Sequence, residues 1–320
     1  MISEIVLARF AAEFDELLAS GERIGVAVSG GPDSLALLLL AAAARPGLVE
    51  AASVDHGLRQ GSRGEAEAVA RLCETLGVHH DILTIEWPSL PTSALQEQAR
   101  TARYRVLGAW AKARGLATIA TGHHADDQAE TLLMRLVRGA GVRGLAAMRV
   151  AARLPGSDKV TLLRPLLGWR RAELNALVAA AGVEAADDPS NHDEQHERVR
   201  MRRLLAATPW LEPAQLAHSS AHLAAADQAI EWAVDREAAA VRTSVGALCY
   251  CPGDAPPEIR RRVAARLIAA LASEGDGDVL RGRELDRLVG ELEAGGSATL
   301  RGVHASGGPE WRFRRAPARR

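Results

Sequence analysis

Two short stretches of this chain concentrate residue types that can do chemistry on an anion. The first is Ser29-Gly30-Gly31-Pro32-Asp33-Ser34. Adjacent glycines let the backbone approach a ligand closely, and the N–H groups that open a following helix favour an anion. Ser29 and Ser34 add hydroxyl donors, and Asp33 adds a carboxylate suited to a hydrated Mg²⁺ held between phosphates. No lysine lies in the segment, which excludes the common nucleoside-triphosphatase loop with its Gly-Lys-Ser/Thr ending.

The second stretch is Thr121-Gly122-His123-His124-Ala125-Asp126-Asp127-Gln128-Ala129-Glu130-Thr131. Asp127 and Glu130 are three apart, and Asp126 and Glu130 four apart, so carboxylates gather on the first turn of a helix. Acidic residues at that position also serve as caps and complement the helix dipole by about 0.3 to 1 kcal/mol. A helix needs one cap, and this segment offers three carboxylates and two histidines. A di-metal phosphoesterase would need further histidine and aspartate motifs, which the chain does not supply.

Smaller groups accompany these two. Asp55 and His56 end an apolar run, at a place that brings them beside the Ser29 turn. Arg100, Arg103 and Tyr104 share a helical face at i, i+3 and i+4. Arg198, Arg200, Arg202 and Arg203 follow Asp187-Asp188-Pro189-Ser190-Asn191, with Arg198 and Arg202 on one face. Arg135, Arg138, Arg143, Arg149, Arg153 and Arg164 precede them. A solvated, salt-bridged face explains such runs as well as a phosphate-binding surface does.

The elements that must position these groups alternate. Ile24 to Val28 reads as a buried strand, Leu35 to Ala44 as a buried helix and Val49 to Val54 as a second strand. Strand, helix, strand at that spacing is a βαβ unit with parallel strands and ligands at their carboxyl ends. The alternation continues through a helix at 65–77, a strand at 79–85, a loop rich in Pro and Ser from Trp87 to Ser93, a helix from Leu95 to about Arg114, and a strand at 116–120. A strand-like Leu162 to Leu167 and a helix from Arg170 to Ala181 follow. The expected architecture is a Rossmann-like parallel sheet with helices on both faces. Near Thr208-Pro209-Trp210 the alternation stops, which sets domains at 1–207 and 208–320. The second is expected to be small and mainly helical α+β. It would hold helices at about 212–242, 257–272 and 282–293, a short strand around Cys249, strands at 298–304 and 311–314, and a basic tail of Arg312, Arg314, Arg315, Arg319 and Arg320.

The bulk composition limits the function classes. The 320 residues are 48% hydrophobic and 25% charged, as in an ordinary globular protein, and the net charge of −1 forbids a polycation while allowing a local basic face. Lys112 and Lys159 are the only lysines, so nearly all positive charge is arginine. Cys73, Cys249 and Cys251 form no CxxC pair or zinc set and read as small buried hydrophobes in a reducing compartment. The N-terminus is an acidic amphipathic helix rather than a signal peptide, and the Leu35 to Ala44 run is too short for a bilayer. A cytoplasmic location is the default, with no membrane partner. The oligomeric state is left open, a homodimer included.

Taken together, the motifs resemble the PP-loop N-type ATP pyrophosphatases, which cleave ATP between the α and β phosphates. Within that superfamily the chain is similar to the tRNA(Ile)-lysidine synthases. The matching segments are SGGPDS (Ser29 to Ser34), VDHGLR (Val54 to Arg59), ARTARY (Ala99 to Tyr104), TGHHADDQAET (Thr121 to Thr131), MRLVRGAG (Met134 to Gly141), RPLL (Arg164 to Leu167) and DPSN with the downstream arginines. The resemblance implies ATP as substrate with Mg²⁺, and as partners free L-lysine and the minor tRNA(Ile) with a CAU anticodon. AMP is transferred to the C2 oxygen of cytidine 34, and the lysine ε-amine then displaces it.

The resemblance also implies site roles. Ser29, Gly30, Gly31, Pro32, Asp33 and Ser34 would hold the pyrophosphate, with Asp55 and His56 near the nucleoside. Asp33 and Asp127 would organise Mg²⁺ or the α-phosphate, and Arg198 or Arg202 would supply a cation. Glu130 would face the lysine ammonium, and Arg100 or Arg103 its carboxylate, within a lysine and tRNA set that includes Tyr104 and His123. The chain ends at Arg320, where longer family members carry a further domain, so recognition of the tRNA acceptor region is expected to be reduced or done by the basic tail, and the second domain is expected to contact tRNA. Sulfur-transferring relatives use paired cysteines, absent here, which favours an amine nucleophile. Two alternatives stand beside this reading: another PP-loop ligase acting on a small acid, and a nucleotide-binding sensor without catalysis.

Overall fold

A computed structural model describes residues 2–57, 61–87, 95–186, 197–272 and 282–316. Arg59, most of the Pro- and Ser-rich loop, the Asp187 to Asn191 segment, Arg319 and Arg320 lie outside the described residues. The chain divides into two compact units, Met1–Ala224 and Ala225–Arg320.

In the first unit the elements run α1 (Glu4–Asp15), β1 (Ile24–Ala27), α2 (Pro32–Ala44), β2 (Val49–Asp55), α3 (Ser62–Leu76), β3 (His79–Thr84), α4 (Leu95–Arg114), β4 (Thr118–Thr121), α5 (Ala125–Val137), α6 (Val142–Leu145), β5 (Ala151–Arg153), β6 (Thr161–Leu163), α7 (Arg171–Ala180) and α8 (Glu197–Ala207). Helix α9 (Pro213–Ala238) contains the division between the units. The sheet order is β3-β2-β1-β4-β6-β5. All neighbours are parallel except β5, which pairs antiparallel with β6 at the edge. The sheet is therefore mixed, and LLRPLL is strand only as far as Leu163. Arg164 bonds back from its N–H to Val150 O at 2.8 Å, where the chain turns.

Helix α2 explains why this sheet forms where it does. Leu35 through Ala41 are all buried, so the helix is apolar on every side and must be central. It packs with Phe10, Phe14, Ile24, Val26, Leu174 and Val178 on one face of the sheet. The other face is covered by α4 through Tyr104, Leu107 and Trp110, with Ile119 and Leu162 beneath them. Burial of Tyr104, at 4% exposure, corrects the expectation that it shares a solvated face with Arg100 and Arg103.

The strand order creates the site. From β1 the chain builds outward to β2 and β3, then returns to place β4 on the other side of β1. The carboxyl ends of β1 and β4 thus flank a topological switch point, where open α/β sheets bind ligands. The Ser29 to Ser34 turn leaves β1 there, and the Thr121 to Glu130 stretch leaves β4 there. Their contact is close: a Cβ at Gly122 would lie 2.7 Å from Asp33 O and 3.0 Å from Ser34 N.

The second unit continues with β7 (Arg242–Ser244), β8 (Ala247–Tyr250), α10 (Pro257–Leu271), α11 (Gly282–Glu293), β9 (Ser297–Leu300), β10 (Val303–Ser306) and β11 (Trp311–Arg315). They form an antiparallel sheet of order β7-β8-β11-β10-β9, more β structure than the sequence pattern indicated. The expected strand at 298–304 is in fact two, because Arg301 (φ 50) and Gly302 (φ 68) make a left-handed turn between β9 and β10. Trp311, Phe313, Tyr250, Val263 and Leu288 fill the core. Buried Arg262 ties α10 to α9 through Asp227 and Glu231, each at 2.6 Å. Cys73 and Cys249 are buried as expected, whereas Cys251 is exposed.

Gly122→Ala should shift the start of α2 or the end of β4, because the atoms it meets are backbone and cannot rotate away. An overpacking loss of about 1 to 3 kcal/mol in urea unfolding, with weaker ATP binding, is the expected outcome. A wild-type midpoint would show that the two segments are not in rigid contact.

Candidate active site at the sheet's carboxyl edge

The turn after β1 is closed by its own serines. Ser34 Oγ donates to Gly31 O at 2.9 Å and accepts from Ser29 N at 3.1 Å, and the two hydroxyl oxygens lie 3.2 Å apart. Gly30 has φ 84, a left-handed conformation that a side chain would strain. Its carbonyl accepts from Ala186 N at 2.9 Å. Gly31 is the N-cap of α2 without a side-chain cap, and Pro32 occupies the first turn. The opening N–H groups of a wholly apolar helix are thus left facing the turn, as an anion cradle requires.

Asp33 projects from that first turn toward His124, the N-cap of α5. His124 is fully buried, and its Nε2 lies 3.4 Å from Asp33 Oδ2 and 3.5 Å from Asp127 Oδ2. Sequence reasoning selected His123 and passed over His124. The available signal was position: the N-cap residue immediately before an acidic helix turns its side chain back over the first turn. Here the capping box is His124 with Asp127: Asp127 N donates to His124 Nδ1 at 3.4 Å, and His124 N donates to Asp127 Oδ2 at 3.2 Å. Burial alone would push the His124 pKa down, but the Asp33 and Asp127 carboxylates outweigh it and raise it. Asp127 balances in the opposite sense: burial pushes up, while His124, His123 and Arg198 hold it below the ordinary value.

His123 behaves differently one residue earlier. Its Nδ1 bonds Thr121 Oγ1 at 2.9 Å. Burial, opposed by Asp127 but reinforced by Arg164, Arg100 and Arg198, takes its pKa down to about 4, although part of the residue reaches solvent. The two adjacent histidines are therefore shifted in opposite directions.

Glu130 is 1% exposed and is surrounded by arginines: Arg202 Nε at 2.9 Å, Arg198 Nε at 3.5 Å and Arg171 Nη2 at 3.9 Å. Arg198 also approaches Asp127 at 3.9 Å and bonds Thr131 Oγ1 at 3.2 Å. The two arginines assigned to phosphate and the carboxylate assigned to an amine are thus brought together, each the other's counter-ion. Asp126, the third carboxylate, is held by a bidentate Arg170 pair at 3.1 Å and by Arg171 N at 2.9 Å, which outweigh burial and keep its pKa low. It anchors α7, and its Oδ2 also lies 3.7 Å from His124 Nδ1.

The remaining candidates separate into two places. Asp55, at the end of β2, accepts from Ser62 Oγ and from Gly57 N, interactions that lower its pKa against burial. His56 Nε2 accepts from Arg103 Nη2 at 2.9 Å, so Arg103 belongs with the Asp55 and His56 corner. Arg100 instead lies over the Tyr104 ring at 5.0 Å. Much of the expected phosphate surface is used internally. Arg135 bonds Gly144 O and Ala147 O, Arg138 pairs with Glu197, Arg149 bonds Ala224 O, and Arg153 bonds Asp158 O.

Among the described residues no three His, Cys, Asp or Glu side chains form a metal site by themselves. Asp33 Oδ1 is nevertheless buried without a hydrogen-bond partner, and Asp127 shares its histidine. Two carboxylates fit Mg²⁺, which usually completes its shell with phosphate oxygens and water.

A switch-point crevice with a serine-closed Gly-Gly turn and an acidic second loop defines a PP-loop protein, and a family model described as a PP-loop domain matches residues 4–208. The chain belongs to this ATP-binding PP-loop family and, within it, to the tRNA(Ile)-lysidine synthases. It is 49% identical over 314 residues to tRNA(Ile)-lysidine synthase of Novosphingobium aromaticivorans, covering 98% of this chain and 94% of the relative. With the enzyme of the same name from Zymomonas mobilis it shares 42% identity, covering 93% and 90%. The U34-tRNA thiolase NcsA from Methanococcus maripaludis, solved with its 4Fe-4S cluster, has a TM-score of 0.57 at 17% identity over 69% of this chain and 80% of that one, a likeness of fold.

The opposite pKa directions of the two histidines set an expected pH dependence. Between about 4 and 6.5 the unfolded chain binds the His123 proton that the folded one rejects, so this group makes stability rise with pH across that window. His124 acts in reverse: its contribution is fully present below the unfolded value and is lost as pH rises through its raised folded pKa. Histidine-selective NMR titration should show His123 titrating near 4 and His124 above the ordinary value, with Asp33→Asn lowering the latter. Identical midpoints for the two rings would contradict the assignment.

Proposed function

We propose that this chain ligates free L-lysine to C2 of cytidine 34 in the CAU anticodon of a minor tRNA(Ile), through an adenylated cytidine, releasing pyrophosphate and then AMP. The observation that carries the reading is the convergence of Asp33 and Asp127 on one buried histidine at the mouth of the Gly-Gly turn. Cleavage between the α and β phosphates requires the β and γ groups to be held as the leaving group. The uncapped start of α2, with Ser29 and Ser34, suits that role.

Asp33 and Asp127 would hold Mg²⁺ jointly with phosphate oxygens, where it neutralises charge on the nucleotide. Arg198 and Arg202 lie on the same side of α5 and supply cations to the phosphates as negative charge develops. When a phosphate draws these guanidinium groups, Glu130 loses two of its three arginine neighbours and becomes available to the ammonium of lysine. Asp55 and His56 lie at the end of the neighbouring strand, on the nucleoside side, with Arg103 fixing the imidazole. The carboxylate of lysine falls to Arg100 or Arg103. The second unit and the basic strand β11 are assigned to tRNA contact, and the reaction to the cytoplasm, where its substrates are.

Incubation with ATP, Mg²⁺, labelled lysine and the minor isoleucine tRNA should place label in the RNA, one AMP and one pyrophosphate appearing per lysine. Replacement of cytidine 34 by uridine should abolish incorporation; equal labelling of both RNAs refutes the reading. Asp127→Asn should keep the fold, because an amide still accepts at the cap. It should reduce lysine-independent pyrophosphate release by about 100-fold or more, the scale of a lost transition-state contact. Normal release would reduce Asp127 to a helix cap.

A further inference from the structure

Helix α9 carries a pair of side chains that neither the core nor the reaction uses. Its deeply buried members are Ser220, Asp227 and Val234, at 0%, 2% and 0% exposure, a line with a seven-residue repeat that marks the inward face. His218 and His222 stand two residues to either side of Ser220, which turns both about 160° away from that line. Both are exposed, as this placement requires. Being four apart, they are neighbours on the outward face, and their ring centres lie 4.4 Å from each other with the planes inclined at 54°. Among the described residues neither imidazole makes a hydrogen bond or an ion pair; the contact of each is with the other ring.

The surroundings leave the pair accessible. Ala214, Ala221, Ala225 and Ala226 lie three or four residues from one histidine or the other, so the same face is otherwise lined by methyl groups. Ser219 turns its hydroxyl to Gln215 O at 3.0 Å. Packing does not account for two rings that both face water. Imidazole nitrogen does suit first-row transition cations, whereas Mg²⁺ and Ca²⁺ take oxygen. A cation about 2.0 to 2.1 Å from one nitrogen of each ring sets the ring centres about 4.5 Å apart at a right angle and about 5 Å apart at a tetrahedral one. The separation in α9 is already close to this, and rotation of two exposed side chains supplies the rest. Among the described residues no third His, Cys, Asp or Glu completes a cluster, so water would fill the remaining positions.

We infer that His218 and His222 form a two-nitrogen site for a divalent transition cation of the Zn²⁺, Ni²⁺ or Cu²⁺ type, of different donor chemistry from the Asp33 and Asp127 pair. The ion would close a ring across one turn of α9 and stabilise that turn, because its two ligands come together only when the helix is formed. The turn directly precedes the division between the units at Ala224 and Ala225, in the helix that both units share. The inference is independent of the ligase reading, since it uses none of the side chains given roles there.

The test titrates the full chain, free of any affinity tag, with Zn²⁺ in excess Mg²⁺ and follows the heat of binding. One equivalent should bind at the pair, and His218→Ala or His222→Ala should weaken it by about 10-fold or more. Both positions face water and alanine is the best helix former, so an unchanged metal-free urea midpoint is expected for each variant. Zn²⁺ should raise the midpoint of the wild type and leave those of the variants. A Ser219→His, His222→Ala double variant keeps the number of imidazoles but points them about 100° apart, and should bind as weakly as His222→Ala. Cu²⁺ on the wild type should show coupling to two nitrogens in its electron paramagnetic resonance spectrum, reduced to one in either single variant. Undiminished binding by both single variants overturns the site, as does coupling to one nitrogen in the wild type. Displacement of the bound Zn²⁺ by Mg²⁺, the mark of an oxygen site, or no uptake of Zn²⁺ at all, overturns it equally.

Discussion

A carboxylate taken out of water must be given a positive partner or a proton, and the catalytic edge of this protein is organised by how that requirement is met. Asp33, Asp127 and Glu130 come from two segments far apart in sequence and meet because β1 and β4 are neighbours. His124 serves the first two and three arginines serve the third. The charges of the crevice are thus arranged as pairs within the chain, although Asp33 Oδ1 and Glu130 Oε2 are buried without a hydrogen-bond partner.

The same constraint explains the contrast between the adjacent histidines. His124 Nε2 lies between two carboxylates, which raise its pKa against burial, whereas burial pushes the His123 pKa down and Arg164, Arg100 and Arg198 add to it against Asp127. Their separation by a single residue at a helix start is sufficient, because the N-cap residue turns inward over the helix while the one before it still follows the strand.

Much of the arginine content that looked like a nucleic-acid surface has a structural use. Arg135 and Arg153 bond backbone carbonyls at the α6 turn and between β5 and β6, and Arg149 bonds Ala224 O in α9. Arginine suits this because its planar fork holds several donors at fixed angles. What is left for ligands is a smaller and more specific set.

The sequence determined the Gly-Gly turn, its wholly apolar helix, the parallel βαβ order and the acidic start of α5, because each is a local pattern: residue type, spacing and the period of burial. It also set the Gly-Gly turn apart from the common nucleoside-triphosphatase loop, since the segment holds no lysine. The antiparallel edge strand, the split of 298–304 into two strands and the extent of the second sheet escaped it. Short polar strands have no strong period, and their pairing is set by neighbours distant in the chain. Side-chain partnerships escaped it for the same reason. That His124 rather than His123 lies between Asp33 and Asp127, that Glu130 is enclosed by Arg171, Arg198 and Arg202, and that Arg100 and Arg103 part company on one helix face were decided only by the tertiary structure. The crossover that sets β4 beside β1 brings those groups within a few ångströms, and electrostatic pairing depends on distance in space, to which spacing along the chain is blind.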